Sequence, residues 1–457
     1  RNSLGSIGGG NHFAELQQID QIIVAELFAL AGLDAQHLQL LVHSGSRGLG
    51  QSILQRHIAS FSHHGLPEGS DDALRYIAEH DDALAFARIN RQLIALRMRR
   101  KSTQVFIIAP LKGHEFLRAC NNIGGEFISI SPASKQCINV CEIRKQDLSA
   151  NQLIDGVVNE NSILAKKIQQ LHIFFSLLIP DINHEERQLL DEALIRTYAK
   201  KGITHNNESL IDPDHPDRYR EMPLLGDVYE ILMESPETKR MGNILNRLVN
   251  GSAKAFNQHT NVQLDNLYTV LDISELTGEL LPVGMFVALD YVWDKAKEDR
   301  TKEKAIFIDE CWQLLSGAGA AGVRLAGDFL LEIAKTIRGY GGASIFASQD
   351  LADFFDLDGG RFGKGIINNS KTKIILNLED DEAQRVQEAL HLSDAETMEI
   401  THFERGHGLI STNNNNIMVE FKASPLEKDL ITTDRRELRE IVERKRREQS
   451  TSAEQQI

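Results

Sequence analysis

Val105, Phe106, Ile107, Ile108 and Ala109 are five consecutive apolar residues. The run is short, and a strand apolar at every position belongs inside a sheet that helices cover. A second strand signal follows at 127–130, after Gly124 and Gly125, and others at 267–271, 304–308, 343–348 and 373–378. Residues 71–100 contain neither proline nor glycine and read as one long helix. Apolar residues recur at helical spacing through 163–178, 186–198 and 223–233, and a further helix is predicted over 325–338. Strands alternating with helices predict an α/β fold with a parallel sheet, interrupted by an all-α insertion. Ser393 with Glu396 forms a capping box that starts another helix. Asn413 to Asn416 read as the turn of a hairpin between 408–411 and 417–421. Residues 434–447 make a charge-dense helix without an apolar stripe wide enough for a core, either a solvated face or a docking tail.

At 457 residues the chain has room for two or three domains. Its net charge of −15 excludes a generic polyanion binder, and no run reaches the roughly 20 apolar residues that span a bilayer. Cys120, Cys137, Cys141 and Cys311 are too few for a disulfide framework, and Cys137 and Cys141 lack a second pair for zinc, which fits a reducing cytoplasm. The chain opens on Arg rather than Met with no signal-peptide pattern, the expectation for a processed or truncated product. Seven of the 16 histidines fall within the first 98 residues, so the two ends of the chain are expected to do different chemistry.

Residues 305–308 are an apolar strand that ends in Asp309 and Glu310, the form of a Walker B element. There the buried strand fixes the first carboxylate near Mg²⁺, and the second orients or deprotonates the attacking water. The competing reading is two exposed acids at a strand end. The next strand ends in Gln349, at the position of a γ-phosphate sensor. Arg338, just before Gly339, is read either as a residue that stabilises transition-state charge in its own or a neighbouring subunit, or as a helix C-terminal arginine that complements the dipole.

Several motifs together carry a family likeness: 106–116, 124–128, 280–285, 308–312, Arg338-Gly339-Tyr340-Gly341-Gly342, Gln349-Asp350 and Phe403-Glu404-Arg405-Gly406. On these, residues 93–440 closely resemble the large ATPase of type IV secretion and conjugative transfer systems, the TraC type. The resemblance implies a RecA-like P-loop NTPase core with an all-α insertion, ATP and Mg²⁺ as cofactors, and Asp309, Glu310, Gln349 and Arg338 as catalytic residues, with Asp309 on the metal. It also implies a homo-hexamer, at the cytoplasmic inner face of the cell membrane, working with other type IV secretion subunits. In that family a GxxxxGK[ST] P-loop begins the helix that ends here at 96–101. The corresponding stretch, 80–88, has neither glycine nor lysine. Gly359 to Gly365 offers only GxxxGKG, one residue short and after the Walker B strand. The domain is therefore expected to be defective in ATP hydrolysis.

The first segment has its own likeness. Leu4-Gly5-Ser6-Ile7-Gly8-Gly9-Gly10-Asn11-His12-Phe13-Ala14-Glu15 and His43-Ser44-Gly45-Ser46-Arg47-Gly48-Leu49-Gly50 resemble the RtcB-type RNA ligases. The resemblance implies His12 and His43 as manganese ligands, Asn11, Glu15 and Arg47 at a GTP and phosphate site, and RNA as a partner if the segment is active. The family's other metal ligands and its GMP-accepting histidine are absent. The expected layout is a ligase fragment over 1–91, the first part of the core over 92–146, the insertion over 147–260, the core with Walker B over 261–424 and a charged helical tail over 425–457. Two families meeting inside one helix, each short of an essential piece, is the pattern of a junction between unrelated genes. A third reading makes the chain a non-catalytic assembly module.

Overall fold

In the computed structural model the described residues are 13–17, 39–43, 48–61, 66–67, 69–100, 103–144, 161–349, 355, 357–412, 415–424, 427 and 430–454. Asn11, His12, Arg47 and Asn413 lie outside them. The chain divides into two compact units, 1–102 and 103–457.

In the first unit, β1 (Phe13–Gln17) pairs antiparallel with β2 (Gln39–His43), with Phe13 opposite His43 and Glu15 opposite Leu41. Helices α1 (Gly48–Phe61) and α2 (Asp71–Arg100) pack on each other, burying Ile53, Ala83 and Ala87. The His57 ring stands 4.5 Å from that of Tyr76. Helix α2 is continuous through residues 91 and 92, where the expected layout divides the chain, and the compact units part only after Ser102.

The second unit is built on five parallel strands: β3 (Gln104–Ala109), β4 (Glu126–Ser129), β5 (Tyr268–Asp272), β6 (Lys304–Ile308) and β7 (Gly342–Phe346), in the order β4-β5-β3-β6-β7. Helix α3 (Gly113–Ile123) joins β3 to β4 and ends at Gly124, whose φ of 71° is the left-handed conformation glycine supplies without penalty. The register lines up Phe127, Val270, Ile107, Phe307 and Ile345 across one face. Phe116 and Cys120 of α3 pack on this face, the Phe116 ring 6.3 Å from that of Phe307.

The opposite face, with Phe106, Ile108, Ile306 and Ile308, merges into the main core. Helices α4 (Ile163–Leu178), α5 (His184–Lys200), α6 (Leu225–Met233) and α7 (Lys239–Val249) make up the insertion. They share that core rather than building their own: Leu171, Phe174 and Phe175 of α4 are wholly buried in it, with Phe286 of α8 (Leu280–Lys297) and Phe329 of α9 (Ala320–Thr336). Helix α8 is buried almost all round, as a helix apolar on every side has to be.

One ionic cluster bridges insertion and core. Lys167 of α4 reaches Asp290 of α8 at 3.2 Å, and Arg144 lies 3.5 Å from Asp290 and 2.7 Å from Asp294, with its guanidinium over the Tyr291 ring. Burial works against the Asp294 charge, yet Lys297, Arg144 and Lys167 together hold its carboxyl below the usual carboxylate range.

After α10 (Arg361–Asn369) comes a separate antiparallel sheet, ordered β10-β9-β8, of β8 (Thr372–Ile375), β9 (His407–Thr412) and β10 (Asn415–Glu420). Asn415 and Asn416, expected in the hairpin turn, begin β10 instead. Helices α11 (Asp380–Leu390) and α12 (Asp394–Thr401) pack on each other beside it, and α12 starts at the expected Ser393–Glu396 capping box. The charged helix α13 (Arg435–Glu454) closes the chain. Arg118 of α3 donates to the Leu430 and Thr432 carbonyls that lead into it.

Candidate nucleotide-phosphate site

In a parallel sheet all carboxyl ends lie along one edge, and ligands collect there. Four elements deliver polar residues to it. Strand β3 continues through Pro110 and Leu111 to Lys112. Strand β5 ends in buried Asp272, β6 runs into Asp309 and Glu310, and β7 into Gln349. The backbone holds these ends together: the Asp309 N–H donates to Ile108, the Ala347 N–H to Ile308 and the Cys311 N–H to Ala347.

Glu310 is the most constrained residue of the group. It is 4% exposed and sits at φ 43°, in the left-handed region that a side chain other than glycine rarely occupies. Such strain persists only where the surroundings hold it. Here its Oε2 accepts from Trp312 Nε1 at 2.8 Å and from the Gln349 N–H at 3.2 Å. Asp309 is half-buried. Burial, and then the neighbouring Glu310, push its carboxyl above the usual range, and Lys112 offsets this only in part.

Lys112 and Asp272 were not among the residues expected at the site. They lie far from the Walker B strand in sequence, and only the strand order brings them to one edge. Their signal was Gly113: a Cβ there would stand 1.9 Å from Asp272 Oδ1, so the start of α3 is packed directly on that acid.

The expected residues separate into three groups. Asp309, Glu310 and Gln349 meet at the carboxyl edge, though Gln349 is tied in through its main chain and its side chain is exposed. Arg338 does not join them. It lies in the exposed turn before β7, at the amino end of that strand and hence at the opposite edge of the sheet. Of the ligase-like residues, Glu15 and His43 lie on the paired strands β1 and β2, and Asn11, His12 and Arg47 fall outside the described residues.

A half-buried Asp309 carboxylate suits a hard divalent cation such as Mg²⁺. The sequence holds no GxxxxGK[ST], and among the described residues Lys112 is the cation that Asp309 faces. The described residues fit the metal half of a nucleotide site and not the phosphate half.

Residues 1–123 match the family model described as tRNA-splicing ligase RtcB, and residues 243–451 match the TraG P-loop domain. Two different family models thus match different parts of the chain. The RtcB match runs past residue 91 through β3 and α3. Over 120 residues the chain is 82% identical to RNA-splicing ligase RtcB2 of Escherichia coli, covering 26% of this chain and 32% of that protein. It is 30% identical over 153 residues to RNA-splicing ligase RtcB homolog 2 of Entamoeba dispar, covering 30% of this chain and 29% of that one. The chain thus spans about a third of the length of the curated relatives it matches. Among solved structures, VirB4 of Thermoanaerobacter pseudethanolicus superposes with a TM-score of 0.61 at 24% identity, over 74% of this chain and 86% of that one. That likeness carries the fold alone: an α/β core on a parallel sheet, as in VirB4. No helix among the described residues is long and apolar enough to cross a membrane.

Proposed function

We propose that the motor domain is a type IV secretion ATPase that keeps its Walker B acids but does not turn over ATP unaided. The observation that carries this reading is the pairing of a fully supported Glu310, held by Trp312 and the Gln349 main chain, with the absence of any GxxxxGK[ST] loop. Asp309 would hold Mg²⁺, which when bound would neutralise phosphate charge, and Glu310 would orient the water. Arg338, at the far edge of its own sheet, serves a neighbouring subunit in a hexamer at the inner face of the membrane, among other secretion subunits. Purified full-length protein is expected to show no ATP turnover above that of Glu310→Gln. Turnover that Glu310→Gln abolishes would overturn the reading.

A second reading concerns the RtcB segment. Phe13, next to His12, stands opposite His43 in the β1–β2 ladder, so the two ligase motifs meet in one pair of strands. This supports a residual Mn²⁺ or GTP binder without ligation. Calorimetry is expected to detect weak Mn²⁺ binding that His12→Ala or His43→Ala removes; no binding to the unaltered chain sinks this reading.

A further inference from the structure

Both cations that reach Asp290 use the same oxygen. Lys167 Nζ donates to Oδ2 at 3.2 Å and Arg144 Nη1 stands 3.5 Å from it, while Oδ1 is buried without a partner, on a side chain only 1% exposed. Arg144 is used as unevenly. Its Nη1 donates to Asp294 Oδ2 at 2.7 Å, and its Nε and Nη2 are buried without a partner. A guanidinium holds its N–H donors in one plane, and Nε with Nη2 makes an edge that a bidentate acceptor ordinarily meets. Glu142 is the acid beside this edge, but its Oε2 stands 3.7 Å from Nε, beyond a hydrogen bond, and accepts from Thr260 Oγ1 instead. The Tyr291 ring lies against the guanidinium, and its hydroxyl donates to the Val262 carbonyl at 2.7 Å.

Arg144 thus has two buried unpartnered atoms and its neighbour Asp290 a third, whereas elsewhere among the described residues such atoms fall one to a residue. Folded interiors satisfy nearly all buried polar groups, and use enclosed water where protein atoms do not reach. A buried ion pair in particular offsets its desolvation only when its remaining protons and lone pairs are also met.

We propose that one enclosed water molecule is bound here, accepting from the Nε and Nη2 edge of Arg144 and donating to Asp290 Oδ1, with its second proton toward Glu142. Charge and hydrogen-bond sense together select it. Arg144 and Lys167 balance Asp290 and Asp294, so the interior of the cluster has no net charge for an ion to offset. Chloride would accept from Arg144 and face Asp290 Oδ1 as a like charge. A metal ion would take Oδ1 and face the guanidinium. Water both donates and accepts, and is small enough to make the roughly three bonds such a place offers. Arg144 precedes the insertion, Lys167 is on α4 and Asp290 on α8 of the core, so the water joins the same parts as the ion pairs and completes the contact between them.

Crystals of the full chain test the assignment. Grown from chloride, they are expected to show a density peak about 2.7–3.2 Å from both Asp290 Oδ1 and Arg144 Nη2. Grown from bromide and from a rubidium salt, they are expected to show the same peak without an anomalous signal. A bromide or rubidium signal there makes the occupant an ion and overturns the proposal. So does a map with no peak between the two side chains. In solution, oxygen-17 magnetic relaxation dispersion counts long-lived internal waters. Arg144→Lys keeps the charge but lacks the planar edge, and is expected to lose one such water relative to the unaltered chain. An unchanged count in the folded variant overturns the proposal, and if the variant does not fold the crystals decide.

Discussion

Two acid groups in the second compact unit meet opposite fates. Asp290 and Asp294 lie in the interior and are matched by Arg144 and Lys167. Asp309 and Glu310 lie at the sheet's carboxyl edge, and the Asp309 carboxyl, only partly offset by Lys112, is raised where that of Asp294 is lowered. Matched charge is what an architectural joint needs, here between the insertion and the core. Unmatched charge costs stability and is kept where a cation or a reacting group is to be bound. The comparison separates scaffold from site without reference to any relative.

The largest expected effect lies in the interior. Asp290→Ala leaves Lys167 and Arg144 short of a buried partner and is expected to cost about 3–5 kcal/mol in denaturant unfolding; a loss below about 1 kcal/mol would mean that water reaches the cluster. Next comes the contact beneath the site. Gly113→Ala drives a Cβ into Asp272 and is expected to cost about 1–3 kcal/mol, read from the same unfolding curves.

The two groups are then expected to respond to pH in opposite senses. Asp294 is depressed in the folded chain, so its stabilisation is present above the unfolded carboxylate value of about 4 and is lost as pH falls through the folded value. Asp309 is raised, so its unfavourable charge is felt at neutral pH and relieved below about pH 4. Asp294→Asn should therefore lower the melting temperature at pH 7 and Asp309→Asn should raise it, with both differences shrinking at acid pH. Shifts of the same sign at pH 7 would break the contrast. The smallest effect belongs to β7: Ile345→Ser is expected to change stability by no more than about 0.5 kcal/mol, since the side chain is already half in water.

Much of this was legible in the sequence because the sheet's strands are apolar runs and two of them end in the residues that matter. Residues 304–308 and 163–178 have the bounds expected of them, and the long helix over 71–100 is present in full. Helix α8 was not legible as a helix, since burial all round leaves no stripe for periodicity to show. The place of Arg338 was not legible for a topological reason: nearness in sequence to a strand does not say which end of it a residue joins. The strained backbone of Glu310 leaves no trace in composition, because it follows from contacts made by Trp312 and Gln349.

That strained residue doubles as a record of selection. Glycine, or asparagine, would occupy the same left-handed conformation at lower cost, but neither would supply the carboxylate that accepts from Trp312 and the Gln349 N–H. In lineages where this edge has fallen idle, the position should drift toward those residues ahead of its better-fitted neighbours.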